Sequence, residues 1–473
     1  MSPPPSWLEH VTAVAERGRA MLGRAAGNAN STANLAAICS LLIARHGEAS
    51  GLALATDVVR ALERMNDSAS AEFLEVLAGE FSPPPEAVAA AVDRWRSDPT
   101  DEAVMALAIA TEAPRQELFR RLNLVGGGAA ALVKLRGQLL VLLPTRPHLR
   151  PVDADLRHLF SSWFSGGFLR LEQISWGTPA ATLERLIAYE AVHEIHGWDD
   201  LRLRLAADRR CFAFFHPLLP GEPLIFVEIA LTRELPTAIA PLLAAQRTIA
   251  DARTAHTAVF FSISDCQPGL RGISFGNFLI KQVVRELSIE LPGLRTYTTL
   301  SPVPGLARAV DDRRDPDAFT DERLRALTLP HHDEVCRLAS TDDDLQALSR
   351  LLQRPGPYAP VVARIAGRLA LAYLIHVKSG MRVADSVGHF HLSNGARLER
   401  INTGGDLSPR GRQSFGVMVN YVYEPQRLEV NHERYVRTGH VATGTSLSGE
   451  VKAVDAAWSN TPRRDRRSVR AAR

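Results

Sequence analysis

The feature that most restricts how this chain can fold is the run at residues 260–305, FFSISDCQPGLRGISFGNFLIKQVVRELSIELPGLRTYTTLSPVPG. It opens with a short aromatic and β-branched strand pattern ending near Ser264. A loop punctuated by Gly269, Gly272 and Gly276 follows, then a helical pattern from Asn277 to Leu291. Ile280, Val283, Val284, Leu287 and Leu291 fall on one face of that helix at a 3.6-residue period. PGLRTYTTLS then ends the helix and opens a second strand. Strand, helix and strand in this order predict a parallel crossover, since two parallel strands need a connection of this length. In open α/β sheets the sites gather at the carboxyl ends of the strands, where the glycine loop and Ser301 both fall.

The surrounding texture divides the chain in two. SAEFLEVLAGEF, PEAVAAAVDRWRS and DEAVMALAIATEA are rich in Ala, Leu, Arg and Glu and carry helical spacing. Proline and acidic start signals separate them. From about residue 160 the runs RRCFAFFHP, PLIFVEIALT and TAVFFSIS read as strands. PAATLERLIAYEAVHEI reads as a helix between them, and residues 306–358 as a helical excursion with caps at Thr320 and Ser340. The expected fold class is α+β, with an all-helical domain over residues 1–158, a mixed α/β domain over 159–457 and a disordered basic tail over 458–473.

Charge and composition exclude several classes. The formal charge is +3, but residues 463–473 hold six Arg and one Asp, a net of +5, which leaves the rest of the chain at −2. A nucleic-acid protein needs a basic face on a folded domain rather than a short basic end. The four cysteines are scattered without C-x-x-C spacing, which favours reduced thiols in the cytoplasm. MSPPPSWLEH lacks the basic and apolar regions of a signal peptide. APVVARIAGRLALAYLIHV is interrupted by Arg364 and Arg368 and reads as a buried helix, so no membrane partner is expected.

Three places could carry chemistry. A glycine loop feeding a helix offers unpaired N–H groups and the positive end of the helix dipole, a natural seat for pyrophosphate. RGISFG lacks both the G-x-G-x-x-G and the G-K-S patterns, and loosely fits a coenzyme A loop of the acetyltransferase kind. Ser301 is followed by Pro302 and Pro304, which hold the chain stiff past the hydroxyl. His389 and His391, in SVGHFHLSNGA, share a face if the segment is extended. Core packing, acid–base work and metal binding all remain open for them, although two ligands do not make a zinc site. HEIH at 193–196 falls one residue short of H-E-x-x-H and reads as a surface helix end.

Taken together, SISDCQPGLRGISFGNFLIKQVV, TTLSPVPG, HFHLSNGARLERIN, DLSPRG and VMVNYVYE resemble the malonyl-CoA decarboxylase family, in order and at nearly its spacing from about Arg157 to Glu424. The resemblance implies a helical N-terminal domain followed by a catalytic domain like the GNAT acetyltransferases. It implies conversion of malonyl-CoA to acetyl-CoA and CO2 without metal or biotin, coenzyme A being part of the substrate. The family's catalytic serine and histidine fall on Ser301 and His391. Its coenzyme A loop falls on Arg271, Gly272, Ile273, Ser274, Phe275, Gly276 and Asn277, and supporting residues fall on Ser262 and Tyr423. Tyr423 is expected on a strand face with Phe415, Val417, Val419 and Tyr421. The chain departs from animal members at Ser274, where they have Glu, and at His389, where they have Asn. The family also implies self-association into a dimer or tetramer. A GNAT-type acyltransferase and a non-catalytic acyl-CoA sensor are the alternatives, separated from a decarboxylase by acetyl transfer to an amine or by intact binding of malonyl-CoA.

Overall fold

The computed structural model describes residues 32–44, 47–273, 278–313, 315, 317–354 and 358–460. In the first of two units, helix-forming residues and well-placed breakers give successive helices: α1 (Thr32–Ala44), α2 (Glu48–Arg64), α3 (Asp67–Gly79), α4 (Pro85–Ser97), α5 (Asp101–Thr111), α6 (Pro114–Asn123), α7 (Gly128–Leu142) and α8 (Arg150–Trp163). Asn66 caps α3 by accepting from Ala69 N–H, and Thr100 caps α5 by accepting from Ala103 N–H. Pro85 and Pro114 occupy first-turn positions that need no N–H donor. Phe73, Leu74, Leu77, Leu118, Phe119 and Leu132 are buried among these helices. Each such side chain contributes about 1.5–3 kcal/mol of burial. Gly128 starts α7 so close to α6 that a Cβ there would lie 1.8 Å from the Leu122 carbonyl oxygen. The segments Phe214–Ile225 and, of the described residues, 265–273 group with this unit.

The second unit is built on a mixed sheet. Its strands are β1 (Arg170–Ile174), β2 (Arg209–Phe215), β3 (Pro223–Thr232), β4 (Thr257–Asp265), β5 (Thr296–Thr299) and β6 (Ser301–Pro302), with a separate two-stranded pair β7 (Lys378–Ser379) and β8 (Arg382–Val383), then β9 (Arg397–Asn402) and β10 (Met418–Tyr423). The order is β1-β2-β3-β4-β5-β10-β6, with β9 on β10. β4 and β5 pair parallel from Thr257↔Thr296 to Phe260↔Thr299, as the crossover pattern predicts. β10 runs antiparallel along both β5 and β6, opposite Thr298 and then Ser301.

Helices complete the unit: α9 (Ala180–Tyr189), α10 (Trp198–Arg204), α11 (Phe278–Glu290), α12 (Leu306–Asp311), α13 (Asp321–Thr328), α14 (His332–Ala339), α15 (Asp344–Leu352), α16 (Pro360–His376), α17 (Ser386–Ser393), α18 (Leu428–Thr438) and α19 (Ser448–Ser459). The apolar run read as a buried helix is α16, with Val361, Ile365, Leu369 and Tyr373 inside. No described helix is long and apolar enough to cross a membrane.

Four local expectations are corrected. Thr320 caps α13, but Ser340 ends α14 in the left-handed region at φ 54°, and Asp343 is the cap of α15. Phe415 also has φ 50° and closes a 3-10 turn, so it stands outside β10. The helix expected through HEIH stops at Tyr189, because the Glu190 carboxylate accepts from Val192 and His193 N–H and turns the chain away. Finally α19 continues to Ser459, with the Trp458 ring 5.6 Å from Phe319, so the ordered chain runs past 457. The rest of the expected tail, 461–473, lies outside the described residues.

Candidate active site

The parallel pairing of β4 and β5 ends with Leu300 N–H donating to the Phe260 carbonyl, 3.1 Å away. Past that point Ser301 pairs with Val419 of β10 instead. The two sheet faces are told apart by their neighbours. Val259, Phe261, Leu300 and Met418 join one apolar core. By strand alternation Ser301, Val419, Tyr421 and Tyr423 face the other way, and there Phe260 meets the Tyr423 ring edge-on at 6.2 Å.

His391 reaches this face from α17. The segment is a helix rather than a strand because Asp385 caps it, accepting from Gly388 N–H at 2.8 Å. Residues two apart on a helix point to different sides, so the two histidines do not form a pair. His389 Nδ1 lies 2.9 Å from the Tyr435 hydroxyl, which in turn accepts from Val383 N–H. His391 Nε2 lies 3.0 Å from Ser301 Oγ, and its Nδ1 lies 2.7 Å from the Tyr423 hydroxyl. Both imidazole nitrogens are therefore engaged. The Tyr421 ring stacks on the imidazole at 4.8 Å and 27°.

Burial sets the protonation states. His391 is 3% exposed, and desolvation pushes its pKa from 6.5 down to about 3. The imidazole is neutral at physiological pH. Burial also raises the Tyr421 and Tyr423 phenols well above their ordinary range, so both keep their protons. Ser301, 7% exposed, is the member of the group nearest solvent.

Ser262 belongs to a second buried polar cluster. Its hydroxyl lies 2.8 Å from each oxygen of Glu190, and Ser264 Oγ lies 3.2 Å from Glu190 Oε2. His193, beside this cluster, is pushed down to about 4 by burial and then by the Arg204 charge. Of the expected coenzyme A loop, Arg271 is exposed, Gly272 takes φ +78° and Ile273 is buried. Ser274, Phe275, Gly276 and Asn277 lie outside the described residues. The start of the loop is clamped within the helical unit. The buried Arg136 guanidinium donates to the carbonyls of Gly269, at 2.6 Å, and Arg271, at 3.0 Å, while Asp153 accepts from its Nε. Gly269 is required there, since a Cβ would lie 1.8 Å from the Val133 carbonyl oxygen.

Sequence reasoning did not single out Glu190, Arg136 or Asp385. An Asp just before a helical segment is a start signal that could have flagged Asp385. Glu190 and Arg136 act on partners 72 and 133 residues away, and no local spacing announces that.

Comparison with known proteins places the chain in a family. The family model for the malonyl-CoA decarboxylase C-terminal domain matches residues 167–461, and that for the N-terminal domain matches 81–164. The chain is 35% identical over 341 residues to mitochondrial malonyl-CoA decarboxylase of Anser anser anser, covering 68% of this chain and 66% of the goose protein. It is 32% identical over 351 residues to the Mus musculus protein, covering 70% and 69%. The crystal structure of malonyl-CoA decarboxylase from Rhodopseudomonas palustris superposes with a TM-score of 0.79 at 45% identity, over 89% of this chain and 99% of that one. The Agrobacterium vitis structure gives 0.73 at 46%, over 88% and 99%. With both family models matched in order, and the C-terminal one covering more than half of its length, the chain belongs to the malonyl-CoA decarboxylase family.

Proposed function

We propose that the protein decarboxylates malonyl-CoA to acetyl-CoA and CO2, with Ser301 at the reacting atoms and His391 and Tyr423 behind it as a hydrogen-bonded line. The observation that carries this reading is the buried chain of contacts Tyr423–His391–Ser301, which ends at the most exposed of the three residues. A phenol donates more strongly than an aliphatic hydroxyl, so Tyr423 O–H donates to Nδ1. Nε2–H then donates to Ser301 Oγ, which leaves the serine proton for the substrate.

When the C2–carboxylate bond breaks, its electron pair passes to C2 and the thioester oxygen as an enolate, and CO2 departs. A fixed hydroxyl donor beside that oxygen lowers the barrier. The serine proton passes to C2 as a proton from solvent replaces it on Ser301, the most exposed of the three residues, while the neutral imidazole holds the serine oxygen through Nε2–H. Each turnover therefore consumes one proton, matching the stoichiometry of malonyl thioester plus proton giving acetyl thioester plus CO2. Since both of its nitrogens are occupied, His391 works through Ser301 rather than by touching C2.

Arg271 and the residues after it are the proposed seat of the coenzyme A phosphates. No resident metal or biotin takes part in this scheme. The protein is assigned to the cytoplasm and to a homo-oligomer. The test is CO2 release from carboxyl-labelled malonyl-CoA by the pure protein, with and without chelator and avidin. Release that survives both reagents is expected. Acetyl transfer to an amine without CO2, or malonyl-CoA bound but left intact, would overturn the reading.

A further inference from the structure

Ser301 and His391 sit 90 residues apart in sequence, on a two-residue strand and a short helix, and still meet at 3.0 Å. The serine's loop, Pro302 to Gly305, has few ways to be held. Its two prolines have no N–H, so Val303 and Gly305 carry its donors. Val303 N–H goes to Ser414 Oγ at 2.9 Å, and Gly305 N–H goes to Asp385 Oδ2 at 3.1 Å. The other oxygen of the same carboxylate caps the histidine helix through Gly388 N–H. Asp385 is 1% exposed.

The packing around this carboxylate is close at both contact points, so that a side chain on either glycine would displace its neighbours. A Cβ on Gly305 would lie 2.2 Å from the Tyr373 hydroxyl. One on Gly388 would lie 2.8 Å from Leu374 Cδ2 and 3.1 Å from the Tyr421 hydroxyl. Tyr421, whose ring lies on His391, presents there a buried hydroxyl with no hydrogen-bond partner among the described residues. The carboxylate, the two glycines and the ring that backs the imidazole thus meet at one point.

We propose that Asp385 is a positioning residue for the reaction: its two oxygens tie the serine loop to the histidine helix and set the Ser301–His391 distance. This rests on the Ser301–His391 reading given above. The two halves of its role are separable. Serine caps a helix about as well as aspartate, so Asp385→Ser keeps the helix start and releases Gly305 N–H. Asp385→Asn keeps one acceptor and turns an NH2 group on the other donor.

The experiment measures kcat and KM for malonyl-CoA, acetyl-CoA affinity by calorimetry and thermal unfolding for the wild type and both variants. Misplacing a reacting group by about 1 Å can cost about 10²-fold in rate. A fall in kcat of roughly 10- to 10²-fold is expected, with KM and acetyl-CoA affinity held within about twofold. Should Asp385→Ser fail to fold, Asp385→Asn carries the test. Unchanged kcat in a folded variant overturns the proposal. So does a loss of acetyl-CoA affinity in step with kcat, which would mark a general structural role. A wild type that releases no CO2 would defeat the functional reading itself, whereas an active wild type with unaffected variants would defeat this inference alone.

Discussion

The Tyr423 hydroxyl stands 2.7 Å from Nδ1 of His391, the place a carboxylate takes in a Ser-His-Asp triad. The substitution changes the chemistry. A carboxylate stabilises the imidazolium that forms when serine is deprotonated for attack. A buried phenol stays neutral, and with no carboxylate contact among the described residues the imidazole stays neutral too, held near pKa 3. That arrangement suits a neutral hydrogen-bonded line that orients a serine donating to a carbanion better than one that creates an alkoxide nucleophile.

Removing the serine hydroxyl should abolish most turnover with little effect on binding. Ser301→Ala is expected to lower kcat for CO2 release by roughly 10²–10³-fold, the usual cost of one fixed donor to a developing oxyanion. His391→Ala should fall by roughly 10²–10⁴-fold, in the range for loss of a general acid. Steady-state kinetics with malonyl-CoA check both. Near-normal turnover in either variant would remove that residue from the mechanism.

Tyr423→Phe tests the far end of the line. It leaves a buried Nδ1 without its partner, at a cost of about 1–3 kcal/mol in stability. It also frees the imidazole to take the other tautomer, so kcat should drop about tenfold or more while KM holds. Urea unfolding and steady-state kinetics together check it. A stable variant with wild-type kcat would show that the phenol only fills space.

Stability should fall on mild acidification. His391 titrates near 6.5 when unfolded and is pushed to about 3 in the fold, so between these values the unfolded state binds the extra proton. Stability is therefore full above pH 6.5 and declines as the pH drops through that window, by up to about 1.4 kcal/mol per unit from this group. His193, held at about 4, adds to the slope. Urea midpoints at pH 7.5, 6.5 and 5.5 measure the effect. His391→Gln should make the decline shallower, and an unchanged slope would place His391 outside the titration.

The helical unit should influence substrate affinity through Arg136. Its Nη1 donates to the carbonyls of Gly269 and Arg271 while its Nε donates to Asp153, and lysine, with a single compact ammonium, cannot keep all three contacts in that geometry. Arg136→Lys is expected to raise KM for malonyl-CoA about tenfold, with kcat changed less. A variant that lost kcat alone would argue against a role in seating the loop.

Much of the second unit was legible because its signals are local. PLIFVEIALT is β3 residue for residue, and the parallel β4–β5 pairing follows from a strand, a helix and a strand whose apolar faces can be read directly. The helices α4 and α5 begin at their proline and acidic signals. Misreadings came where a side chain from nearby took over the backbone. Glu190 ended a helix that periodicity would have continued, and Asp385 made a helix of a segment that two-residue spacing allowed to be a strand.

The sequence by itself determined many of the elements, since periodicity and caps are properties of neighbouring residues, and its resemblance to a known family pointed to one serine and one histidine. Only the tertiary structure decided that His389 turns away to Tyr435 while His391 meets Ser301 and Tyr423, that one carboxylate joins the two elements, and that the imidazole is neutral. These depend on which distant groups share a place with water removed, and both the contact and the desolvation exist only once the chain has folded.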